Sequence, residues 1–478
     1  MFVLGTYAST GTLLTSGMGA ISTIVFKDYP GQEARATDLL TYPTLFMGIG
    51  NLVSMPLALT IGRRPVFLFS LLLLVLSGVW CVFSKDLGSH IAGRDIMSLA
   101  AGSSEALCPL MIQDIFFLHE RGRMFSWFST TLTVGSASFL VATTFMVASW
   151  GWRWWYGLFT ILNGVILVLS ILLVCETEFD RPKDASEGAV HLDFNKNGDL
   201  EVGGEVHRVV RVTTAQGNVL DPAKYGERTW RHDLALFSIK PKWGQVPMFY
   251  KHVAQGLCMP SIIWLLILNG AFLGLYVFQA STFAPILIMP PNSWKFENVG
   301  FVQLGQIVVC FFFVPLLGYG TDMVIKWMSR WKGGVYQPEY RIIVLAFPAV
   351  VGVVCAVIYG QAAAHPDRWN WSAIAVSYNG IYLSFLGANI VGVTYAIDSF
   401  PLRAGSLLVL ICAGRGIISF GLSYATLPSI QAIGYDGAMN VQAVVCGVLA
   451  LIGVPMYFFG SYLRQLAQKW FAVADEKE

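Results

Sequence analysis

Gly93 to Arg123 reads GRDIMSLAAGSSEALCPLMIQDIFFLHERGR. A basic and an acidic residue, Arg94 and Asp95, open the stretch. A run of small and apolar residues follows, with Glu105 inside it. Asp114 and a charged turn, His119-Glu120-Arg121-Gly122-Arg123, close it. Long apolar segments lie on both sides. A carboxylate amid so much apolar sequence is costly, so it needs a partner or a wet cavity. Arg94 and Glu105 are eleven residues apart, three helical turns, and therefore share a helix face. Their separation along the axis, about 16 Å, prevents direct contact. Both are expected to face a central cavity. Asp114 stands nine residues beyond Glu105, on the opposite face.

Composition places the rest of the chain in the same setting. Of 478 residues, 55% are apolar and only 13% charged, too few charges for the surface of a water-soluble chain of this length. The net charge of +2 excludes a strongly basic nucleic-acid binder. The eight cysteines sit in or beside apolar segments without CxxC spacing, which argues for buried thiols rather than disulfides or a metal site. No cofactor is expected.

Twelve spans of about 20 apolar residues are expected. The first six cover 2–25, 37–61, 66–84, 90–118, 126–149 and 152–175. The second six cover 257–285, 299–320, 341–361, 371–397, 404–428 and 440–463. The fold class is therefore an all-α membrane protein of two six-helix halves. Residues 1–175 form the first half, 176–256 a cytosolic central loop, 257–463 the second half and 464–478 a cytosolic tail. Two such halves joined by a loop suggest a parallel internal repeat. Apolar sequence begins at Met1 without a basic leader or a cleavage site, so a signal peptide is not expected.

Orientation follows from the short loops. Arg63, Arg64, Arg121, Arg123, Lys326, Arg330, Lys332, Arg341, Arg403, Arg464 and Lys469 fall on one side, as does the basic central loop. Only Lys27, Arg35, Lys85, Lys295 and Arg368 fall in clear loops on the other. The first side is cytosolic, and both termini face it. The sequon Asn370-Trp371-Ser372 then lies outside, where topology permits glycosylation. In the central loop, Asp193, Asn195, Asn197 and Gly198 have the spacing of half a calcium loop, but Gly204 replaces its closing glutamate. A polar turn fits better. The aromatic and basic stretch from Trp230 to Trp243 is expected either on the inner membrane surface or packed beneath the bundle.

Several motifs, in order, resemble the major facilitator superfamily, and among its members the fungal multidrug-type group of proton-coupled carriers. Gly62-Arg63-Arg64 stands between spans two and three, Arg94 and Gly102 in span four, and Gly151-Trp152-Arg153-Trp154 at the start of span six. Glu176-Thr177 and Arg181 follow that span. Gly318, Asp322 and Lys326 repeat the turn motif, Gly334, Pro338, Glu339 and Arg341 precede span nine, and Asp398-Ser399-Phe400-Pro401 with Arg403 precedes span eleven. Two departures stand out. Leu59 occupies the place of the first turn motif's aspartate. In span five, Gly135 matches the first glycine of the antiporter motif, but Phe139 and Leu140 replace its next glycine and proline and Thr143 with Thr144 its paired glycines, which weakens the case for export by antiport.

The resemblance implies a part for Arg94 in proton coupling. It also implies a cytosolic latch in which Asp114 pairs with Arg63 and Arg64, and in which Asp398 pairs with Arg341 or Lys326, with Asp322 as the acidic member of the second turn. Burial would raise the proton affinity of Glu105 and fit it to exchange a proton. Arg415, flanked by Gly414 and Gly416 in mid-span, must face a cavity or a partner, either an anionic substrate or Glu105. Asn269, Gln279, Gln303, Gln306, Asn379 and Asn389, with Tyr276, Tyr378, Tyr382 and Tyr395, add the amides and aromatic surface of an amphipathic site.

The reading that follows is proton-driven secondary transport of a small organic molecule, with export favoured and uptake of a polyamine-like or other nutrient as the rival. No GxxxxGK[ST] loop supports ATP as the driver, and no HExxH or GxSxG motif supports an enzyme. A non-transporting receptor or scaffold has no need of the costly Arg94, Glu105 and Arg415. Protons, membrane lipid and the substrate are the expected partners, the protein a monomer, and the plasma membrane its expected site, with the vacuolar membrane as the alternative.

Overall fold

The computed structural model describes residues 2–115, 118–177, 234, 241–331, 337–400 and 403–475. These residues form helices and no strands. The first expected span is two helices, α1 (Phe2–Ser16) and α2 (Met18–Val25), which meet at Gly17. Then come α3 (Asp38–Ile61), α4 (Arg63–Phe83), α5 (Leu87–Ile115), α6 (Leu118–Trp150) and α7 (Trp152–Leu173). The second half begins earlier than expected, with the amphipathic helix α8 (Gln245–Leu257), ahead of α9 (Pro260–Ile288). The next span starts as a 3₁₀ helix, Phe296–Gln303, and passes through a π-helical turn, Val309–Phe313, into α10 (Val314–Trp331). There follow α11 (Ala346–Ala364), α12 (Trp371–Ser399), α13 (Ala404–Tyr424), α14 (Thr426–Leu451) and α15 (Gly453–Asp475). Within α14, Gly434 has a φ of +74°, and this break separates the eleventh expected span from the twelfth. The last helix runs on to Asp475, well into the stretch expected as tail.

Among the described residues, ten helical segments are long and apolar enough to cross a membrane. The two remaining expected spans depart for physical reasons. Phe2–Val25 is divided at Gly17. Leu87–Ile115 carries Arg94, Asp95, Glu105 and Asp114 among small residues. Large apolar side chains point outward along the other helices, as Phe69, Leu72, Leu76 and Phe83 do on α4. Such a surface suits lipid, where only a helix or a closed barrel satisfies its own backbone.

The two halves meet through small residues. A Cβ on Gly19 of α2 would lie 2.1 Å from the carbonyl oxygen of Ala280 on α9. One on Gly48 of α3 would lie 2.8 Å from that of Ala413 on α13, and one on Gly416 of α13 would lie 2.8 Å from that of Thr44. Close backbone approach of this kind is how helices pack where lipid removes the hydrophobic drive between them. The amphipathic α8 also touches both halves. The Tyr250 hydroxyl donates to the Leu52 carbonyl on α3 at 3.1 Å, while Gly256 packs against Leu407 and Leu410 of α13.

The central loop lies largely outside the described residues. That includes Lys183, Asp193, Asn195, Asn197, Gly198, Gly204, Arg208, Arg211, Trp230, Arg231 and Lys240. Lys332 and Gly334 lie outside them too, as does Pro401.

Candidate functional site

Glu105, on α5, lies across the interface from Arg415, on α13. The Arg415 Nη2 is 2.6 Å from Glu105 Oε1, so one half supplies the acid and the other the base. Each is held on its own side. Asn51 Nδ2 donates to Glu105 Oε2 at 3.3 Å, and Arg415 Nη1 donates to Asn389 Oδ1 at 2.8 Å. The guanidinium also stands over the Phe385 ring, 5.9 Å from its centroid. The helices make this geometry possible because Gly48, Gly102 and Gly416 let α3, α5 and α13 approach at backbone distance. A charged pair in such surroundings survives only with good geometry and further hydrogen bonds, and it has both.

An aromatic wall adjoins the pair. Phe385 lies parallel to Tyr276, with centroids 6.0 Å apart and planes 8° from each other. Tyr276 also meets Tyr378 and Tyr382 at 5.7 and 5.4 Å. Gln306 Nε2 donates to the Tyr276 hydroxyl at 3.0 Å, and Gln303 Nε2 to the Tyr378 hydroxyl at 2.8 Å. Tyr382 reaches Thr133 of α6 at 3.3 Å, a further polar link between the halves. Of the amides expected to line one cavity, Asn389, Gln303 and Gln306 join this cluster. Asn379 binds the Val302 and Ala375 carbonyls instead, and Asn269 binds Leu265 of its own helix. Gln279 is wholly buried in the second half, and neither amide atom has a hydrogen-bond partner among the described residues. Tyr395 is buried near Glu339, away from the pair.

Arg94 does not share the cavity face expected for it with Glu105. It is fully buried inside the first half. Its Nε donates to the Leu39 carbonyl at 3.0 Å, Nη1 to the Leu14 carbonyl at 3.2 Å, and Nη2 to the Thr15 carbonyl at 3.0 Å. The break at Gly17 frees carbonyls at the end of α1, and the guanidinium satisfies two of them. A fourth bond, from Nη1 to the Tyr156 hydroxyl at 2.9 Å, ties α5 to α7, and Tyr156 in turn meets His90 Nε2 at 2.9 Å. Helix periodicity placed Arg94 and Glu105 on one face, but it carries no information about a kink in a neighbouring helix.

At the end of the bundle expected to face the cytosol, Arg63 Nε forms an ion pair with Asp114 Oδ2 at 3.3 Å. Arg64, expected beside it, turns elsewhere. It donates to the carbonyls of Ile171, at 2.8 Å, and Leu234. The acidic group beneath this turn is Glu176, whose carboxylate accepts the backbone N–H groups of Arg63 and Arg64 at 3.1 Å each. It therefore caps the start of α4, where the helix dipole favours an anion. Gly62 has a φ of +117°, and a Cβ there would fall 2.6 Å from Glu176 Oε2. In the second half, Nε and Nη2 of Arg341 both lie 2.7 Å from Asp398 Oδ2, while Lys326 is exposed. The side chain of Asp322 lies outside the described residues. Arg464 on α15 pairs with the buried Glu339 at 3.4 Å. Asn370 caps α12 by accepting the Ser372 N–H at 3.2 Å.

Asn51, Tyr156, His90 and the capping role of Glu176 escaped sequence reasoning. Asn51 and His90 carried the usable signal, a polar side chain within an apolar span.

A family model described as Major Facilitator Superfamily matches residues 3–408. An MFS-type transporter of Schizosaccharomyces pombe is 21% identical, over 89% of this chain and 78% of its own. The efflux pump radE of Floropilus chiversii is 22% identical, over 90% of this chain and 73% of its own. A solved POT family transporter in complex with a thioalcohol-conjugated peptide superposes with a TM-score of 0.62 at 13% identity, over 96% of each chain, a likeness of fold.

Proposed function

The chain belongs to the Major Facilitator Superfamily, and on that premise we propose that this multi-pass membrane protein is a proton-coupled secondary transporter that exports a small organic molecule. One observation carries the reading: an acid and a base from different halves pair at 2.6 Å within apolar spans. Glu105 is the member of the pair that can exchange a proton, because a guanidinium stays protonated. A proton on Glu105 removes the charge–charge attraction that holds α5 to α13. Release of that contact lets one half rock against the other, as alternating access requires. Arg63–Asp114 and Arg341–Asp398 act as gating pairs at the inner ends. Arg94 acts through the hinge at Gly17 rather than by taking the proton itself.

Export is supported by the printed name of a relative, an efflux pump. One observation favours uptake. The later antiporter glycines of span five are absent, and in their place Phe139 packs edge-on against Phe159 while Thr144 donates to the Glu297 carbonyl at 3.0 Å. The plasma membrane is the proposed location. The test is flux into and out of proteoliposomes under an imposed pH gradient, with a mixed metabolite extract as the source of solutes. A solute that accumulates against its gradient only when the pH gradient is present supports coupling, and the side on which it accumulates gives the direction. If no solute responds to the pH gradient, the coupling reading is wrong.

A further inference from the structure

We propose that the Glu105–Arg415 site takes an organic anion bearing an aromatic ring, and that the anion binds together with the proton. The inference rests on the proton-coupled transport reading above and adds to it the charge class of the cargo; because a proton and an anion bound together cross together, it joins the span-five observation in favouring uptake over export.

The argument begins with the range of charge available to the site. The groups that face Glu105 are Arg415 and Asn51 on α3, with the Cys412 thiol on α13 within electrostatic reach. Of these only Arg415 is charged near neutral pH, and it stays charged. The described site is therefore neutral with Glu105 ionised and singly positive with Glu105 protonated. It never becomes negative, so an organic cation meets no net attraction in either state. An anion meets a neutral site in the first state and a positive one in the second.

The geometry says which partner gives way. Arg415 is anchored by Asn389 and by the face of Phe385, and its side chain is 8% exposed. Glu105 is 20% exposed and, among the described residues, has besides the pair one long hydrogen bond, from Asn51. Protonation loosens Glu105 and leaves a buried guanidinium without its counter-ion, a strongly unfavourable state. A carboxylate or sulfonate in place of the Glu105 carboxylate restores the charge-assisted hydrogen bonds. Next to that position runs the partly exposed wall of Phe385 and Tyr276, stacked 8° from parallel. A ring joined to the acid group rests against this wall, and the Tyr276 hydroxyl, held by Gln306, offers a polar contact at its far end.

Binding of three probes of one shape to the full chain in nanodiscs tests the idea: cinnamate, cinnamamide and cinnamylamine, titrated at pH 5.5 and pH 8. The anion should bind about tenfold more tightly at the lower pH, because proton and anion each favour the other's binding. The amide should bind weakly without pH dependence, and the amine should not bind. Glu105→Gln should hold cinnamate tightly at both pH values. Arg415→Gln should lose it, and Arg415→Lys, which keeps the charge but not the fork, should weaken it. Amine binding that exceeds anion binding, cinnamate affinity independent of pH in the wild type, or no cinnamate binding at all overturns the assignment. Proton-driven flux of a cationic solute in the proteoliposome assay would remove the anion class while leaving the transport reading intact.

Discussion

Exposure of Glu105 to lipid would be costly, and Arg415 is what makes its position tolerable. Truncation to alanine would leave the buried Arg415 unpaired, at about 3–5 kcal/mol. Glu105→Gln is the milder change, since an amide still accepts from Arg415 and from Asn51. This variant should fold and reach the membrane. It should lose accumulation of solute under a pH gradient yet keep substrate exchange, which needs no net proton movement. Flux measured from pH 5 to pH 8 checks this, and an unchanged pH profile with accumulation intact makes Glu105 structural. The cost of Glu105 was legible from its neighbours alone. Its pairing with Arg415 stood beside an anionic ligand as one of two readings, because the partner lies in the other half of the chain. The surroundings of Arg94 were not legible, because they depend on carbonyls released by a kink.

Elements add what residues alone do not. The apolar segments placed most helices within a few positions, as with 371–397 against Trp371–Ser399 and 152–175 against Trp152–Leu173. Local hydrophobicity and breaker residues suffice for such ends. The division at Gly17 was not legible, because a glycine that admits a neighbouring helix and a glycine that ends a helix look alike in sequence. Its result is a short α2 that leans on α9 through Gly19. Gly19→Leu should therefore pry α2 from Ala280. We expect transport to fall, and a cysteine placed at Thr23 to react faster with a membrane-impermeant thiol reagent added outside. Unaltered labelling would mean that α2 is not part of the outer closure. At the inner end, Asp114→Asn should lower the transport rate more than it lowers binding. Removing Arg63 as well should add little, because the two groups form one unit. Fully additive losses in the double-mutant cycle would remove the pairing from the mechanism.

At the scale of the whole molecule, orientation rests on charge rather than on packing. The bundle has no intrinsic up or down. The bias of arginine and lysine toward one set of loops supplies it. The ion pairs fit this division. Arg63–Asp114, Arg341–Asp398 and Arg464–Glu339 all lie at one end of the bundle, on loops and helix ends that alternate correctly with the spans. The basic groups of that end are thus partly used in holding helix ends together, yet they still outnumber those of the opposite loops. On the opposite end, Arg153 reaches Asp28 at 3.8 Å and the Ser84 carbonyl at 3.2 Å, both in outer loops by the same assignment. A tag after Glu478 should then be shielded in intact cells from protease and antibody added outside, and should become accessible on permeabilisation. A tag inserted near Arg208, in the central loop, should behave in the same way, because an even number of spans separates the two positions. The paired outcome carries more weight than either tag alone. Exposure of both tags would invert the molecule, whereas exposure of only one would require an odd number of crossings between them and would remove a span from the second half.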